Sequence, residues 1–339
     1  MKIIHGPMNI GGMAGVLASA QRKLGYQARS KCLNLKNLNF KTDEYFTRMC
    51  LSSEGTIEQK VRDYFGVLYN YDIFQFYFGF SFFRENLQDI PLLKKIGKKI
   101  FFYFCGCDVR DSKKTIEKYQ YNACKECWPM FCNPNRNRAV EYALKYADAV
   151  FVSTPDLLEF VPNASLLLQP IDLEIMRSFC KQSPYLKDKQ TFVIAHAPTS
   201  TSIKGTKYIN TAVAELKDQG YCVELILIQN KTQQETLEIC QTADLVIDQL
   251  LIGAYGQVSV EMMALGKPVI CYLREDLISL YPEPPPIINA NPDNILSVLK
   301  SILDNREALI NIGEKGKEYV ARYHDHLLIA QKMIDFYNN

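Results

Sequence analysis

The residues of this chain best suited to chemistry cluster in one stretch of its second half. Asp244-Leu-Val-Ile-Asp248 leads to Gly253, Tyr255, Gly256 and Gln257, then to Glu261 and Gly266-Lys267-Pro268-Val269. The apolar run Leu245 to Ile247 predicts a buried strand, and about 257–265 predicts a helix. Gly266 ends that helix and Pro268 opens the next strand. A strand, a glycine loop and a helix N-terminus make a place for an anion, because free backbone N–H groups and the positive end of the helix dipole point at it. Glu261, one turn inside the helix, is set to accept hydrogen bonds from two neighbouring hydroxyls, as the acid of a dinucleotide site does for a ribose. The local chemistry points to a nucleotide diphosphate.

Two other glycine-bearing turns lie upstream. Thr191-Phe-Val-Ile-Ala-His196 reads as a buried strand, and Lys204-Gly205-Thr206 opens an amphipathic helix. At the N-terminus, strand Lys2-Ile-Ile-His5 runs into Gly11-Gly12 and a helix that stops at Gly25. Glycine there lets the backbone approach a ligand closely.

Glu261-Met-Met-Ala-Leu-Gly266-Lys-Pro268-Val269 resembles the donor-site signature of the GT-B glycosyltransferases, in particular the retaining family 4 type. Their Glu-x7-Glu pattern ends in Glu-Ala-Met-Ala-x-Gly-x-Pro-Val. The first Glu falls here at Gly253, so that half is missing. The resemblance implies a ribose contact for Glu261 and a diphosphate contact for Lys204, whose ammonium is a mobile point charge suited to phosphate oxygens. It also implies donor-facing roles for Gly11, Gly12, Gly205, Gly253, Tyr255, Gly256 and Gln257. The carboxylate missing at 253 normally contacts the donor sugar. An arginine usual after the strand is replaced by Ala197-Pro198.

The elements that must position these residues alternate strand and helix, which predicts an α/β chain with parallel sheets. Strands are expected at about 2–5, 26–33, 72–76, 99–104, 149–153, 165–168, 191–196, 221–228, 244–248 and 268–272. The resemblance implies two Rossmann-like domains facing a cleft, with a C-terminal helix crossing back to the first. The expected division is an acceptor-side domain over 1–185, a nucleotide-sugar domain over 186–322 and a returning helix over 323–339, with a polar linker near 180–190.

Acceptor-side chemistry is expected after the strand at 99–104, in Cys105-Gly-Cys107-Asp108-Val-Arg110. Related sequences show His-Gly-x-Asp-x-Arg here. Asp108 either orients or deprotonates an acceptor hydroxyl, or caps a helix; Arg110 either holds an anionic group or pairs with a nearby acid. Gln75, after another strand, is a further candidate to line the cleft.

The chain has 339 residues, 47% hydrophobic and 22% charged, enough for two folded domains. Its net charge of +2 hides an asymmetry: residues 1–185 hold 25 Lys+Arg against 18 Asp+Glu, and residues 186–339 hold 14 against 19. Lys94, Lys95, Lys98 and Lys99 form a dense cluster after an aromatic-rich segment, and either seat the protein on an anionic membrane or form a solvated helix end. Near-neutral overall charge and no recognised motif argue against nucleic acid. No run reaches the ~18 apolar residues of a membrane span, and MKIIHG reads directly as a strand, so a cytoplasmic protein without a leader is expected. Cysteine is abundant at 11, with Cys124, Cys127 and Cys132 closely spaced and Cys107 nearby. Only one Cys-x2-Cys is present, so these are either packing thiols or, less in keeping with zinc spacing, a structural zinc site. No Asp-x-Asp occurs, and no divalent ion or other cofactor is expected beyond a nucleotide sugar as substrate.

The reading is a glycosyltransferase moving a sugar from a nucleotide-diphosphate sugar to a glycan or lipid-linked acceptor in polysaccharide or glycoconjugate synthesis. Lys204, Glu261 and Asp108 are its expected catalytic-site side chains. Two alternatives stand beside it: a catalytically impaired nucleotide-sugar-binding partner subunit, and a GT-B nucleotide-sugar epimerase.

Overall fold

The computed structural model describes residues 1–33, 40–46, 65–82, 87–128, 132, 136–179 and 190–339. The expected linker at 180–190 lies almost wholly outside the described residues. The chain forms two compact units. The first comprises Met1–Asp111, Met130–Pro170 and His326–Asn339; the second comprises Ser112–Pro129 and Ile171–Asp325.

The first unit is built on a parallel sheet of β1 (Lys2–Gly6), β2 (Gln27–Leu33), β3 (Glu44–Phe46), β4 (Ile73–Tyr77), β5 (Lys99–Phe104), β6 (Ala149–Val152) and β7 (Ser165–Leu166). Their spatial order is β3-β2-β1-β4-β5-β6-β7. The central strands β4 and β5 read Ile-Phe-Gln-Phe-Tyr and Lys-Ile-Phe-Phe-Tyr-Phe, nearly apolar throughout, because both faces of a parallel sheet are covered. Alternation sorts them: Phe74, Phe76, Phe102 and Phe104 enter one buried cluster, and Ile73, Tyr77, Phe101 and Tyr103 the other. The C-terminal helix His326–Asn338 closes the second cluster beside the helix Met13–Lys23, burying Ile329, Met333, Ile334 and Tyr337.

The second unit is built on β8 (Phe192–His196), β9 (Val223–Leu227), β10 (Leu245–Ile247), β11 (Val269–Cys271) and β12 (Ile288–Asn289). Its order is β12-β11-β10-β8-β9, again all parallel. Helix Thr206–Asp218 buries Ile209, Ala212, Val213 and Leu216, the helical spacing expected of its core face. A capping box starts the helix Gln233–Thr242: Thr232 accepts from the Glu235 N–H while Glu235 accepts from the Thr232 N–H.

Three features depart from the sequence expectation. β3 and β12 are short strands that no periodicity announces; β12 follows directly on the irregular proline-rich loop. Ser112–Pro129, inside the stretch assigned to the first domain, packs with the second unit. There Glu126 pairs with Lys207 at 2.6 Å, and Tyr121 and Gln120 hydrogen-bond Asp293. The second unit also takes up Ile171, whose N–H donates to the His324 carbonyl, well before residue 186.

The terminal helix shares the core with the first sheet, so truncating it should open a cavity. Met333→Ala should cost about 2–5 kcal/mol and lower the unfolding midpoint; an unchanged midpoint in urea melts would show that this helix contributes nothing to the first unit.

Candidate functional site

The sheet order of the second unit sets three loops side by side at the C-terminal ends of the strands. β10 lies between β8 and β11, so the segments after β8, β10 and β11 are neighbours. Strand ends at this edge are where open parallel sheets bind ligands.

After β8, His196 is buried and ties the edge together. Its Nδ1 lies 2.7 Å from the Ile247 carbonyl, to which it donates, so Nε2 accepts from the Thr206 hydroxyl at 2.9 Å. Burial holds this imidazole neutral, with a pKa lowered to about 4. Gly205 adopts φ +77°, a left-handed turn that breaks the short helix Thr201–Lys204 from Thr206–Asp218. A Cβ on it would lie 3.3 Å from Leu250 and Leu251, so glycine here also permits close packing of the β10 loop.

The turn delivers Lys204 to the loop after β10. Its Nζ lies 2.5 Å from Asp248 Oδ1, and both side chains are largely buried, at 12% and 1% exposure. Asp248 also accepts from the Gly256 N–H at 3.0 Å and the Ser259 hydroxyl at 2.7 Å. Gly256 is the residue that precedes the helix Gln257–Ala264. The aspartate therefore caps the helix and clamps the lysine to it in one contact set. Burial works against its charge, yet Lys204, Ser259 and Gly256 together hold its carboxyl below the usual range.

Glu261 projects one turn further in. It is buried, and Gln233 at the start of the next helix over donates to its Oε1. Burial raises its pKa to about 7, against the pull of the Gln233 hydrogen bond and with the repulsion of Asp248 added. The one side-chain donor shown to this carboxylate is Gln233, and ribose hydroxyls are further donors. Gln257, first in the helix, has an amide oxygen buried without a hydrogen-bond partner among the described residues. The structure thus gathers Lys204, Gly256, Gln257 and Glu261 around one helix start.

Gly253 has φ +83°, and a Cβ there would fall 2.6 Å from Arg274 Cγ and 2.7 Å from Cδ. The space of a side chain at 253 is filled by an arginine from the loop after β11. Its guanidinium lies 3.7 Å from the centre of the Tyr119 ring and binds Asp276 through Nε and Nη2, at 3.0 and 2.6 Å.

The structure places several of the sequence-predicted residues in the interior. Tyr255 is fully buried, stacked on Tyr281 and hydrogen-bonded to His324 at 2.9 Å; it anchors the loop from beneath and touches no open surface. Gln75 is likewise buried: its amide donates to the Phe76 carbonyl and accepts from the Tyr337 hydroxyl of the terminal helix. An inward side chain of a covered sheet cannot line a ligand surface. Asp108 is buried with its carboxylate turned on the N–H groups of Cys105 and Gly106, at 3.0 and 2.6 Å, closing its own turn. Burial lifts its pKa to about 6. Arg110 pairs with buried Asp156 at 2.5 Å. Asp108 thus binds its own turn rather than a helix start, and Arg110 pairs with an acid.

Gly11 and Gly12 adopt φ +57° and +79° and open the helix Met13–Lys23, with Asn9 Oδ1 accepting from the Ala14 N–H. Cys107 and Cys132 belong to the first unit, Cys124 and Cys127 to the second. Among the described residues no group of three or more His, Cys, Asp or Glu is arranged to hold a metal ion. Lys94 is paired with Asp148 at 2.7 Å, and Lys99 donates to the Tyr337 carbonyl, so two of the four clustered lysines are engaged within the fold. Asp248, Gln233 and Arg274 were not singled out in the sequence. Asp248 and Arg274 each follow a buried strand closely, and that position is the signal that marks them.

No protein-family model and no curated sequence matches this chain. Solved structures do. HepE of Anabaena in complex with UDP and glucose matches with a TM-score of 0.68 at 14% identity, covering 100% of this chain and 99% of that one. Sucrose-phosphate synthase from Thermosynechococcus elongatus matches at 0.62 and 13% identity, covering 100% and 98%. An alpha-glucosyltransferase in complex with UDP and a mismatched DNA matches at 0.61 and 12% identity, covering 99% of each chain. The chain has the GT-B fold. Among the described residues no helix of this GT-B chain is long and apolar enough to cross a membrane.

The Lys204–Asp248 clamp gives a direct test. Lys204→Met or Asp248→Asn alone should destabilise the second unit by about 3–5 kcal/mol, since each leaves a buried charge unpaired, whereas the double variant should recover part of the loss. Denaturant melts of all four proteins measure this; strictly additive losses would mean the two side chains do not interact.

Proposed function

We propose that this protein is a glycosyltransferase using a nucleotide-diphosphate sugar, with its donor at the helix Gln257–Ala264. The observation that carries the reading is Glu261: a buried carboxylate whose one side-chain donor shown is Gln233, one turn from a helix start where Lys204 and a partnerless Gln257 oxygen converge. HepE was solved with UDP and with UDP-glucose, which supports a uridine nucleotide here.

In this reading the ribose hydroxyls donate to Glu261. The diphosphate lies across the helix start, where the dipole and Lys204 stabilise the charge that grows as the glycosidic bond breaks. Lys204 is paired with Asp248, so the helix end shares this role with the lysine. Asp248 keeps the ammonium in place before the donor arrives, which limits reorganisation during reaction. Retention at the anomeric carbon follows the resemblance of the Glu261 motif. The acceptor is a glycan or lipid-linked sugar of cell-surface polysaccharide synthesis. Exposed Lys95 and half-buried Lys98 would meet an anionic membrane; co-sedimentation with phosphatidylserine vesicles, lost in a Lys95→Glu, Lys98→Glu protein, checks this last point.

The same clamp supports a second reading, a partner subunit that binds the nucleotide sugar without turnover. Titrating UDP-, GDP- and ADP-sugars in metal-free buffer separates the two. A transferase binds one class saturably and releases free nucleotide slowly, and Lys204→Ala and Glu261→Ala weaken both. The pH dependence has a defined sign. Ribose donors favour ionised Glu261, so donor affinity should be highest above pH 7 and fall as pH drops through about 7, by up to about tenfold per unit. In the ligand-free protein the sign is opposite: the stability tied to its raised pKa is full below the ordinary carboxyl pKa and lost as pH rises through about 7. Glu261→Gln should flatten the affinity profile. No binding by any nucleotide sugar would overturn the donor-site assignment.

A further inference from the structure

We propose that Arg274 selects the sugar of the donor, and that this sugar carries a carboxylate: the donor is a nucleotide-linked uronic acid. The proposal rests on the donor site described above and goes on to name the class of sugar.

Gly253 and Arg274 are coupled sterically. A side chain at 253 would collide with the arginine methylenes at 2.6 and 2.7 Å, and the Arg274 N–H donates to the Gly253 carbonyl at 2.9 Å. Only a residue without a Cβ, free to take φ +83°, lets the arginine lie there. The loop that begins at Gly253 ends at Gly256, the helix start proposed for the diphosphate, and with the ribose at Glu261 on the helix the proposal places the sugar beside Gly253. The Arg274 methylenes fill that side and carry its guanidinium to Tyr119 and Asp276.

The arginine is preorganised for a carboxylate. Tyr119 supports the flat guanidinium face, and the fork of Nε and Nη2 already grips a carboxylate, that of Asp276. Arg274 is 8% exposed, while Asp276 is 61% exposed and two residues on, in the short helix Glu275–Ile278. The aspartate side of this bidentate pair is exposed, so water and a ligand carboxylate can reach it. It holds the fork in shape and yields to a carboxylate delivered in the plane of the guanidinium. A neutral sugar offers hydroxyls only and displaces Asp276 at a loss.

Calorimetric titration of the full chain with UDP-glucuronate and UDP-galacturonate against UDP-glucose and UDP-galactose tests this, with GDP-mannuronate and GDP-mannose added to cover the other base. The acidic member of a pair should bind at least about tenfold tighter. In Arg274→Gln that preference should vanish while free UDP or GDP binds within about twofold of wild type. Asp276→Asn should strengthen binding of the acidic sugar, since the competing carboxylate is gone; a merely structural Asp276–Arg274 pair would weaken it. Equal or tighter binding of the neutral sugars overturns the proposal while leaving the donor site intact. Loss of free nucleotide affinity in Arg274→Gln, with an unchanged melting temperature, also overturns it and makes Arg274 a phosphate contact. Binding of no nucleotide at all removes the donor site and this proposal together.

Discussion

The arrangement of the second unit depends on one buried carboxylate. Asp248 sits at the end of β10 and reaches Lys204 from the β8 loop, the Gly256 N–H and the Ser259 hydroxyl. These contacts fasten two strand-end loops to one helix start. A buried carboxylate without such partners would be costly, and the lysine alone would be equally so. Each makes the other tolerable, and the positive helix end favours the carboxylate. The place of Glu261 follows from this, since its distance from the helix start is set once Gly256 is capped.

The same economy of loops explains the glycines. Gly205 turns the chain so that Lys204 faces the β10 loop, and Gly253 leaves the volume that Arg274 fills. Neither glycine is there for flexibility in isolation; each yields space to a charged side chain that arrives from a neighbouring strand. Tyr255, between Gly253 and Gly256, points the other way and secures the loop to Tyr281, Tyr319 and His324. A loop pinned from below holds its upper face still.

In the first unit the same physics removes candidates. Gln75 and Asp108 have side-chain types that serve sugar hydroxyls well, yet both are consumed by the fold. Gln75 satisfies buried groups between β4 and the terminal helix, and Asp108 closes the turn after β5. Polar residues at strand ends answer two demands at once, capping and catalysis, and their type does not say which one prevails.

Local pattern in the sequence determined the alternation of strands and helices, the glycine turns, and the places of Lys204 before a helix and Glu261 one turn inside another. These are legible because apolar periodicity, glycine and a carboxylate at a fixed helical offset act within a few residues. The short strands β3 and β12 were not legible, since two or three residues carry no period. Tertiary structure alone decided the pairings: Lys204 with Asp248 across 44 residues, Gln75 with Tyr337 across 262, Ser112–Pro129 with the second unit, and Arg274 in the space at Gly253. The physical reason is sheet order. Which strand ends become neighbours follows from how all the helices cover both faces, and no local stretch of chain encodes that.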